Sequence, residues 1–536
     1  MADPVAAIAG LSIALPRGAD RPYALENFSL DIGRAEILCV VGESGSGKSV
    51  LASAIMGALP RGLSRSQGSI KFQGDELTTL SGSRLRAIRG RHIAMIFQEP
   101  MASLNPAMRV GRQIEEILEI HVPKMSPADR RARVLALMTE MQLPDPEALA
   151  RRYPHQISGG QCQRVVIAMA LALDPALLIA DEPTTALDVT TQAQILRLIR
   201  ATRDRHGQAV LFVTHDFGVV ADIADRVAVM QRGRLVESGP TLQVLNDPQH
   251  PYTRQLIAAV PSLTPRVRPE VTAPPALVID ALTKSYGGVR AVDEVSFNVP
   301  KGATVAIVGE SGSGKSTLAK VIIRLVEPNA GRVLVDDIDF ATIGWRELMR
   351  RRRLVQMVFQ DPHGSLNPNR TVGDMLIRAG VLGGLRRSEA RRRASELVET
   401  VGLQREALHR KPEAFSGGQR QRIGIARALA MRPAIVIADE SVSALDVSVQ
   451  KQVLDLLERL QRQAGLTMLF ITHDLRVAAQ IADRIAVMQR GRLVEFGPAI
   501  RVLQTPEHPY TAELVAAAPG RSWQRARTAE VAAAVP

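Results

Sequence analysis

Aromatic side chains are scarce in this chain, at 3% of 536 residues, and cysteines number only two. A core with so few rings is packed by Ala, Val, Leu and Ile, which suits layered α/β structure. Cys39 and Cys162 lie far apart in the sequence, so neither a disulfide framework nor a cysteine-bound metal cluster is on offer. No stretch approaches about 18 consecutive apolar residues, the length a membrane-spanning helix needs. The first ten residues hold neither a basic segment nor a full signal-peptide core, so the expectation is a chain that stays in the cytoplasm and spans nothing. Acidic residues are outnumbered, giving a net charge of +13, but the basic ones are scattered. The densest basic stretch, 346–353, reads as a solvated face, a contact for lipid head groups or a phosphate patch. It lacks the interleaved aromatics that stack bases, and no nucleic-acid partner is expected.

Repetition is what the chain has in abundance. Gly42-Glu43-Ser44-Gly45-Ser46-Gly47-Lys48-Ser49 returns 267 residues later as Gly309-Glu310-Ser311-Gly312-Ser313-Gly314-Lys315-Ser316, followed there by Thr317. Each copy follows an apolar run, 37–41 and 303–308, that reads as a buried strand aimed at the glycines. Glycines free backbone N–H groups to wrap phosphate oxygens, the lysine adds a mobile positive charge, and the hydroxyl of Ser49 or Ser316 can ligate Mg²⁺.

The repeat runs well past these loops. Phe97-Gln98-Glu99-Pro100 is echoed by Phe359-Gln360-Asp361-Pro362, and Ser103-Leu104-Asn105-Pro106 by Ser365-Leu366-Asn367-Pro368. Ser158-Gly159-Gly160-Gln161 is echoed by Ser416-Gly417-Gly418-Gln419. Asp181 and Asp439, His215 and His473, and Tyr252 and Tyr510 are each 258 residues apart, which implies duplication of a whole folding unit. The expected organisation is a first nucleotide-binding domain over 1–260, a proline-rich linker over 261–275, a second domain over 276–518 and a tail over 519–536, partly disordered or helical. Further strands are expected at 177–180, 210–213, 435–438 and 467–471, joined by crossover helices into largely parallel sheets. Inserts at about 99–170 and 361–430 read as helical, as at 130–141.

Acidic pairs end two of these strands. Asp181 and Asp439 can hold the metal shell, while Glu182 and Glu440 orient or activate water. His215 and His473, at further strand ends, can sense a γ-phosphate and hold the attacking water. A lone histidine there is more often structural; the repeated setting favours the functional role. Gln98 and Gln360 can position metal or water and report occupancy to the helical inserts, with an ordinary capping glutamine as the alternative. The Ser-Gly-Gly-Gln units precede plausible helices, so their amides, with Ser158 or Ser416, can approach a phosphate that belongs to the other half.

On these motifs the chain resembles a tandem ATP-binding subunit of the ABC transporters, in the oligopeptide, dipeptide and nickel importer family. His250-Pro251-Tyr252-Thr253 and His508-Pro509-Tyr510-Thr511 add specific support. The resemblance implies two P-loop, ABC-type α/β domains, each with a helical subdomain. It makes Ser158, Gly159, Gly160 and Gln161, with Ser416, Gly417, Gly418 and Gln419, signature motifs; Glu182 and Glu440 catalytic bases; and His215 and His473 switch histidines. Asp188 and Asp446 fall in loops that communicate across the dimer. Each phosphate loop then works with the opposite signature, so one chain supplies two composite ATP sites. Both glutamates are intact, so both sites are expected to hydrolyse ATP with Mg²⁺. Tyr286 resembles the family's adenine-stacking aromatic; the first half offers Leu15, with Tyr23 displaced nearby.

Two departures stand out. Cys162 takes a position where relatives commonly have a basic residue, as Arg420 does in the second half. The cysteine-rich extension that carries an iron–sulfur cluster in some members has no matching cysteines here. The partners implied are two permease subunits, expected to be non-identical because the two inserts differ, and an extracytoplasmic binding protein, with the chain peripheral on the cytoplasmic face of the inner membrane. Peptide is the expected cargo; nickel, glutathione and other small solutes are alternatives, because the engine rarely touches what is carried. A tandem ATPase acting on ribosomes or DNA, and an inactive nucleotide-binding scaffold, are the remaining readings. The short cysteine-free seam argues against the first and the intact glutamates against the second.

Overall fold

The computed structural model describes residues 3–526 apart from 185–186, 267, 270 and 443–444. The chain divides into two compact units. Among the described residues the first holds 3–187, 191–260 and 519–526, and the second holds 188–190 and 261–518.

In the first unit the strand Ile37–Val41 is central to a six-stranded sheet, in parallel register with Ala209–Thr214 on one side and Arg226–Gln231 on the other. Leu177–Asp181 and then Ile93–Ile96 continue the parallel order, and the antiparallel Arg234–Pro240 closes the far edge. Side chains alternate across a strand, and here both faces are covered. Ile37, Cys39 and Val41 join one core cluster while Leu38 and Val40 join another, which is why the run is apolar without interruption. A four-stranded antiparallel sheet, ordered Tyr23–Ile32, Ala6–Ala14, Ser64–Phe72 and Asp75–Glu76, packs its apolar face on the second of those clusters.

The second unit repeats this plan. Thr304–Val308 pairs in parallel with Thr467–Ile471 and Arg484–Gln489, and Ile435–Asp439 and Val355–Val358 complete the parallel part. The helical inserts are present in both units, as Val110–His121, Pro127–Glu140 and Gly159–Ala170, and as Val372–Leu382, Arg387–Thr400 and Gly417–Ala430. The helix expected at 130–141 begins three residues early. Ser126 caps it by accepting the Asp129 amide at 3.2 Å, and Pro127 opens it, a pairing that favours initiation.

Two connecting segments are anchored by specific contacts. After the first cassette, Arg268 is almost fully buried in the second unit, 3.1 Å from Glu458 and 3.7 Å from Asp483. Arg266 also pairs with Glu458. In the first unit the counterpart Asp225 is paired 2.8 Å from Arg203. Gln461 stands at the arginine's equivalent position, so the connector supplies the charge that the second unit's own helix lacks. At the chain's other end, residues 521–526 are helical and Trp523 is 7% exposed within the first unit's core. Its Nε1 donates to Asn246 Oδ1 at 2.9 Å, and the Gly520 amide donates to Asp222 Oδ2 at 2.9 Å. Among the described residues, no helix is long and apolar enough to cross a membrane.

Candidate nucleotide sites

Each phosphate loop is built the same way. Gly47 and Gly314 precede the helices Lys48–Ile55 and Lys315–Ile322 with φ of 106° and 103°. A Cβ at Gly47 would sit 2.6 Å from the Ala24 carbonyl, and at Gly314 2.2 Å from that of Ala291, so no larger residue fits. The lysine that follows is buried and tied to its own loop. Lys48 Nζ donates to the Gly42 carbonyl at 2.7 Å and the Glu43 carbonyl at 3.0 Å; Lys315 Nζ donates to Gly309 at 2.8 Å and Glu310 at 2.6 Å. Burial pushes the Lys315 ammonium below the usual lysine value, while Glu440 and Asp439 pull it back up. Ser46 is 4% exposed, and its buried Oγ has no hydrogen-bond partner among the described residues. An orphaned hydroxyl inside a loop of N–H groups fits a phosphate.

The carboxylates expected from sequence come to these loops. Ser49 Oγ donates to Asp181 Oδ1 at 3.1 Å, and Ser316 Oγ to Asp439 Oδ1 at 3.3 Å. Burial raises both aspartates above the ordinary value, with Glu182 and Glu440 pushing the same way. Serine hydroxyl beside carboxylate is a pair of hard oxygen donors. Among the described residues no group of three or more His, Cys, Asp or Glu is placed to hold a metal. Mg²⁺ bound with a nucleotide takes most of its oxygens from phosphate and water, so the pair suffices.

Glu182 and Glu440 sit one residue on, in left-handed backbone at φ 48° and 44°, strained for a residue with a Cβ. Each carboxylate is held from two sides. Gln98 Nε2 donates to Glu182 Oε2 at 3.2 Å while His215 Nδ1 lies 3.2 Å from Oε1. Gln360 Nε2 donates to Glu440 Oε2 at 2.7 Å with His473 Nδ1 3.4 Å from Oε1. Burial raises the Glu440 carboxyl, but the hydrogen bond and charge of His473, with Lys315, outweigh it and leave it below the usual value. Glutamine, glutamate and histidine thus form one connected group in each unit.

The signature serines cap the helices that follow them. Ser158 and Ser416 accept the amides of Gln161 and Gln419 at 3.3 and 3.4 Å, and those side chains return a bond to the serine amides at 3.0 Å. The two glycines of each motif differ in purpose. A Cβ at Gly160 or Gly418 would lie 2.7 Å from Thr191 Cγ2 or 2.3 Å from Val449 Cγ1, whereas Gly159 and Gly417 have nothing within 4 Å. The first glycine therefore leaves helix-terminal amides open to a ligand and the second permits helix packing.

Tyr252 and Tyr510, which the sequence offers as repeat markers within the His-Pro-Tyr-Thr segments, also reach the phosphate loops. The Tyr252 hydroxyl accepts the Glu43 amide at 3.2 Å, and Tyr510 accepts that of Glu310 at 3.0 Å, bracing the second residue of each phosphate loop. The His-Pro-Tyr-Thr repeat was the signal. Tyr286 is 47% exposed, with Lys284 Nζ over its ring at 5.3 Å from the centre. Tyr23 is half-buried at the start of its strand, and Leu15 packs on the core. Asp446 stands at the N-cap of the helix Val447–Ala464, and Asp188 immediately precedes Val189–His206.

The family profile described as "ABC transporter" matches residues 25–185 and 292–443. The profile described as "Oligopeptide/dipeptide transporter, C-terminal region" matches 236–287 and 494–536. The chain is similar to the glutathione import ATP-binding protein GsiA of Salmonella choleraesuis (strain SC-B67), 44% identical over 558 residues, covering 96% of this chain and 89% of that one. For the protein of the same name from Escherichia coli (strain K12) the identity is 44% over 570 residues, covering 98% and 91%. This chain belongs to the ATP-binding proteins of the peptide, opine and nickel ABC importers. A solved ATP-binding cassette, MJ0796 in a post-hydrolysis state with ADP and Pi, is 33% identical, covering 42% of this chain and 98% of its own, with a TM-score of 0.39.

This ABC protein is thus an ATP-binding and ATP-hydrolysing subunit that energises solute import, built from two tandem α/β cassettes with helical subdomains. Its departure at Cys162 has a local account. Cys162 Sγ faces the Pro154 carbonyl at 3.6 Å, where Arg420 Nε donates to the equivalent Pro412 carbonyl at 2.8 Å. The same loop is tied to the signature helix in both units, more weakly by the thiol.

Proposed function

We propose that this chain drives import of a peptide-like small solute, with glutathione the foremost candidate, from the cytoplasmic face of a bacterial inner membrane. The carrying observation is 44% identity over nearly the whole chain to proteins named for glutathione import. That likeness supports glutathione over the broader peptide cargo expected from the fused halves. A cytoplasmic ATPase with no spanning helix among its described residues acts through others, and the partners proposed are two unlike permeases and an extracytoplasmic binding protein.

The residues divide the work. Phosphate oxygens are cradled by the amides from Gly42 to Ser49 and from Gly309 to Thr317, and Lys48 and Lys315 offset charge on the transferring phosphoryl group. Ser49, Asp181 and Gln98, and likewise Ser316, Asp439 and Gln360, would hold Mg²⁺, which screens phosphate charge when bound. Glu182 with His215, and Glu440 with His473, orient water in line with the γ-phosphate. Tyr286 stacks on adenine in the second site. Each site is completed by the signature of the other half. In support, the side-chain hydroxyls of Ser158 and Ser416 accept the Gln161 and Gln419 amides, and a Cβ at Gly159 or Gly417 would meet nothing within 4 Å among the described residues.

Reconstitution in proteoliposomes with the permeases and binding protein encoded beside it tests this reading. ATP-dependent uptake of labelled glutathione is expected, with dipeptides and tripeptides lacking the γ-glutamyl link taken up less well, and uptake should vanish in E182Q/E440Q. Uptake that survives loss of both acids sinks the engine role; uptake of ordinary peptides in preference to glutathione overturns the cargo.

A further inference from the structure

The two phosphate loops are alike, but the hairpins beside them are not. Ala24 and Ala291, whose carbonyls crowd Gly47 and Gly314, lie at the start of each hairpin's second strand, so each hairpin turn stands near its own phosphate loop. In the second unit Gly287-Gly288 alone join the strands Pro275–Tyr286 and Val289–Pro300. Both glycines are at positive φ, which makes a tight turn and leaves Tyr286 at the strand end. In the first unit residues 15–22 stand between the strands Ala6–Ala14 and Tyr23–Ile32, and Leu15, at the place of Tyr286, packs on the core. This longer loop is shaped by its own bonds: the Leu15 amide donates to the Pro22 carbonyl at 2.9 Å and the Ala19 amide to that of Pro16 at 3.2 Å. It carries Arg21.

Arg21 is half-buried, and its Nη2 donates to the carbonyl of Gly45, in the middle of the first phosphate loop. Its Nε is buried without a hydrogen-bond partner, and the side chain makes no ion pair among the described residues. A Cβ at Gly45 would meet nothing within 4 Å, so the loop is open beside the contact. A cation partly withdrawn from water, held by one neutral acceptor and matched by no carboxylate, is an incomplete site. Lys48 already brings a positive charge to this loop, whereas Leu15 offers no ring where the second unit has Tyr286. A guanidinium is planar and stacks on aromatic faces, and a purine base presents one.

We propose that Arg21 is the base-binding residue of the first nucleotide site, its guanidinium stacking on adenine in the role assigned to the Tyr286 ring in the second. The two sites then grip the same nucleotide by different means, a cation in one and a phenol ring in the other. The inference rests on the ATP-binding reading of both loops and names the group that the first one uses on the base. The bond to Gly45 gives that grip a route to the phosphates, because a base seated on Arg21 acts through one hydrogen bond on the loop that wraps them.

Calorimetric titration of the purified full chain tests this, with ADP, the product of the reaction, and with inorganic pyrophosphate, which has no base. The parent is expected to take two ADP. R21A should weaken one site about tenfold and Y286A the other by a similar factor, while the pyrophosphate affinity of R21A stays within about twofold of the parent. R21A/Y286A should weaken both sites, and R21W, which puts a stacking ring back on the hairpin, should recover most of the ADP affinity lost in R21A. If R21A lowers the unfolding midpoint, R21Q, which keeps a donor for the Gly45 carbonyl and loses the charge, should still weaken ADP at one site. Two ADP bound by R21A as tightly as by the parent overturn the proposal alone. An equal loss for ADP and pyrophosphate also overturns it, since that makes Arg21 a brace of the phosphate loop. A parent that binds no ADP overturns the nucleotide reading and this inference with it.

Discussion

Glu182 and Glu440 are the carboxylates proposed to orient water, and each is closely held by its surroundings. Each is in left-handed backbone, so its position is imposed by the strand end and the following loop rather than chosen locally. A glutamine just ahead of the insert and a histidine just past the neighbouring strand hold its two oxygens, leaving little rotational freedom. Replacing one acid by its amide keeps shape and removes the base. E182Q and E440Q are each expected to lose hydrolysis at one site, while the double variant falls by about a hundredfold or more in phosphate release and still binds ATP. A single variant as inactive as the double would mean that the two sites do not turn over independently. A second residue-scale expectation concerns Glu76. Burial acts to raise its carboxyl, yet the hydroxyls of Ser69 and Thr78 and the amides of Ile70 and Thr78, both at 3.1 Å, hold it down to about 2. A depressed folded-state value stabilises above the unfolded value of 4.5 and is lost as the pH falls toward 2. E76Q should therefore unfold more easily than the parent at pH 7, and the gap should close between about pH 4.5 and about 2 in urea titrations.

At the scale of elements, the signature helix shows what a motif can and cannot reveal. Ser-Gly-Gly-Gln announces a helix start, but the division of labour between its glycines depends on a neighbour far along the chain. Val449 leaves no room at Gly418, whereas Gly417 faces open space. G418A is expected to destabilise the second unit by roughly 1–3 kcal/mol through overpacking. G417A should leave the unfolding midpoint in place and weaken ATP turnover, since only the ligand's approach is obstructed. Equal midpoints for the two variants would refute the packing role. The same contrast runs through the fold. The strand expected at 467–471 coincides with Thr467–Ile471, and the others agree within a residue or two, because both sheet faces are buried and the apolar runs are uninterrupted. The phosphate loops, Asp181, Glu182 and their repeats were legible because they are contiguous. The bracing by Tyr252 and Tyr510 was not, since each reaches its loop from more than two hundred residues away, or in the second unit two hundred, where no local pattern registers the contact.

At the scale of the whole chain, the two units are not closed by their own sequence alone. The first unit's core includes a residue from near the chain's far end, Trp523, whose ring is buried and whose Nε1 is satisfied by Asn246. Read from residues alone, that segment is polar and then alanine-rich with no decisive pattern, because a single tryptophan sets no period. Trp→Ala in a packed site costs about 3–5 kcal/mol. W523A is therefore expected to lower the stability of the first unit, while the second keeps its own midpoint because none of its core clusters includes the residue. The only other tryptophan, Trp345, is 65% exposed, so emission separates the two environments: Trp523 should emit to the blue and shift red as the first unit opens. In W345F the remaining fluorescence reports that opening alone, and circular dichroism follows both units. Denaturant unfolding of W523A should show the early transition moved and the later one unmoved if the first unit opens first, or the reverse order with the same unit affected. A shift of both transitions by the same amount would show that the units unfold as one cooperative block, and no shift in either would show that the C-terminal segment does not close the first core.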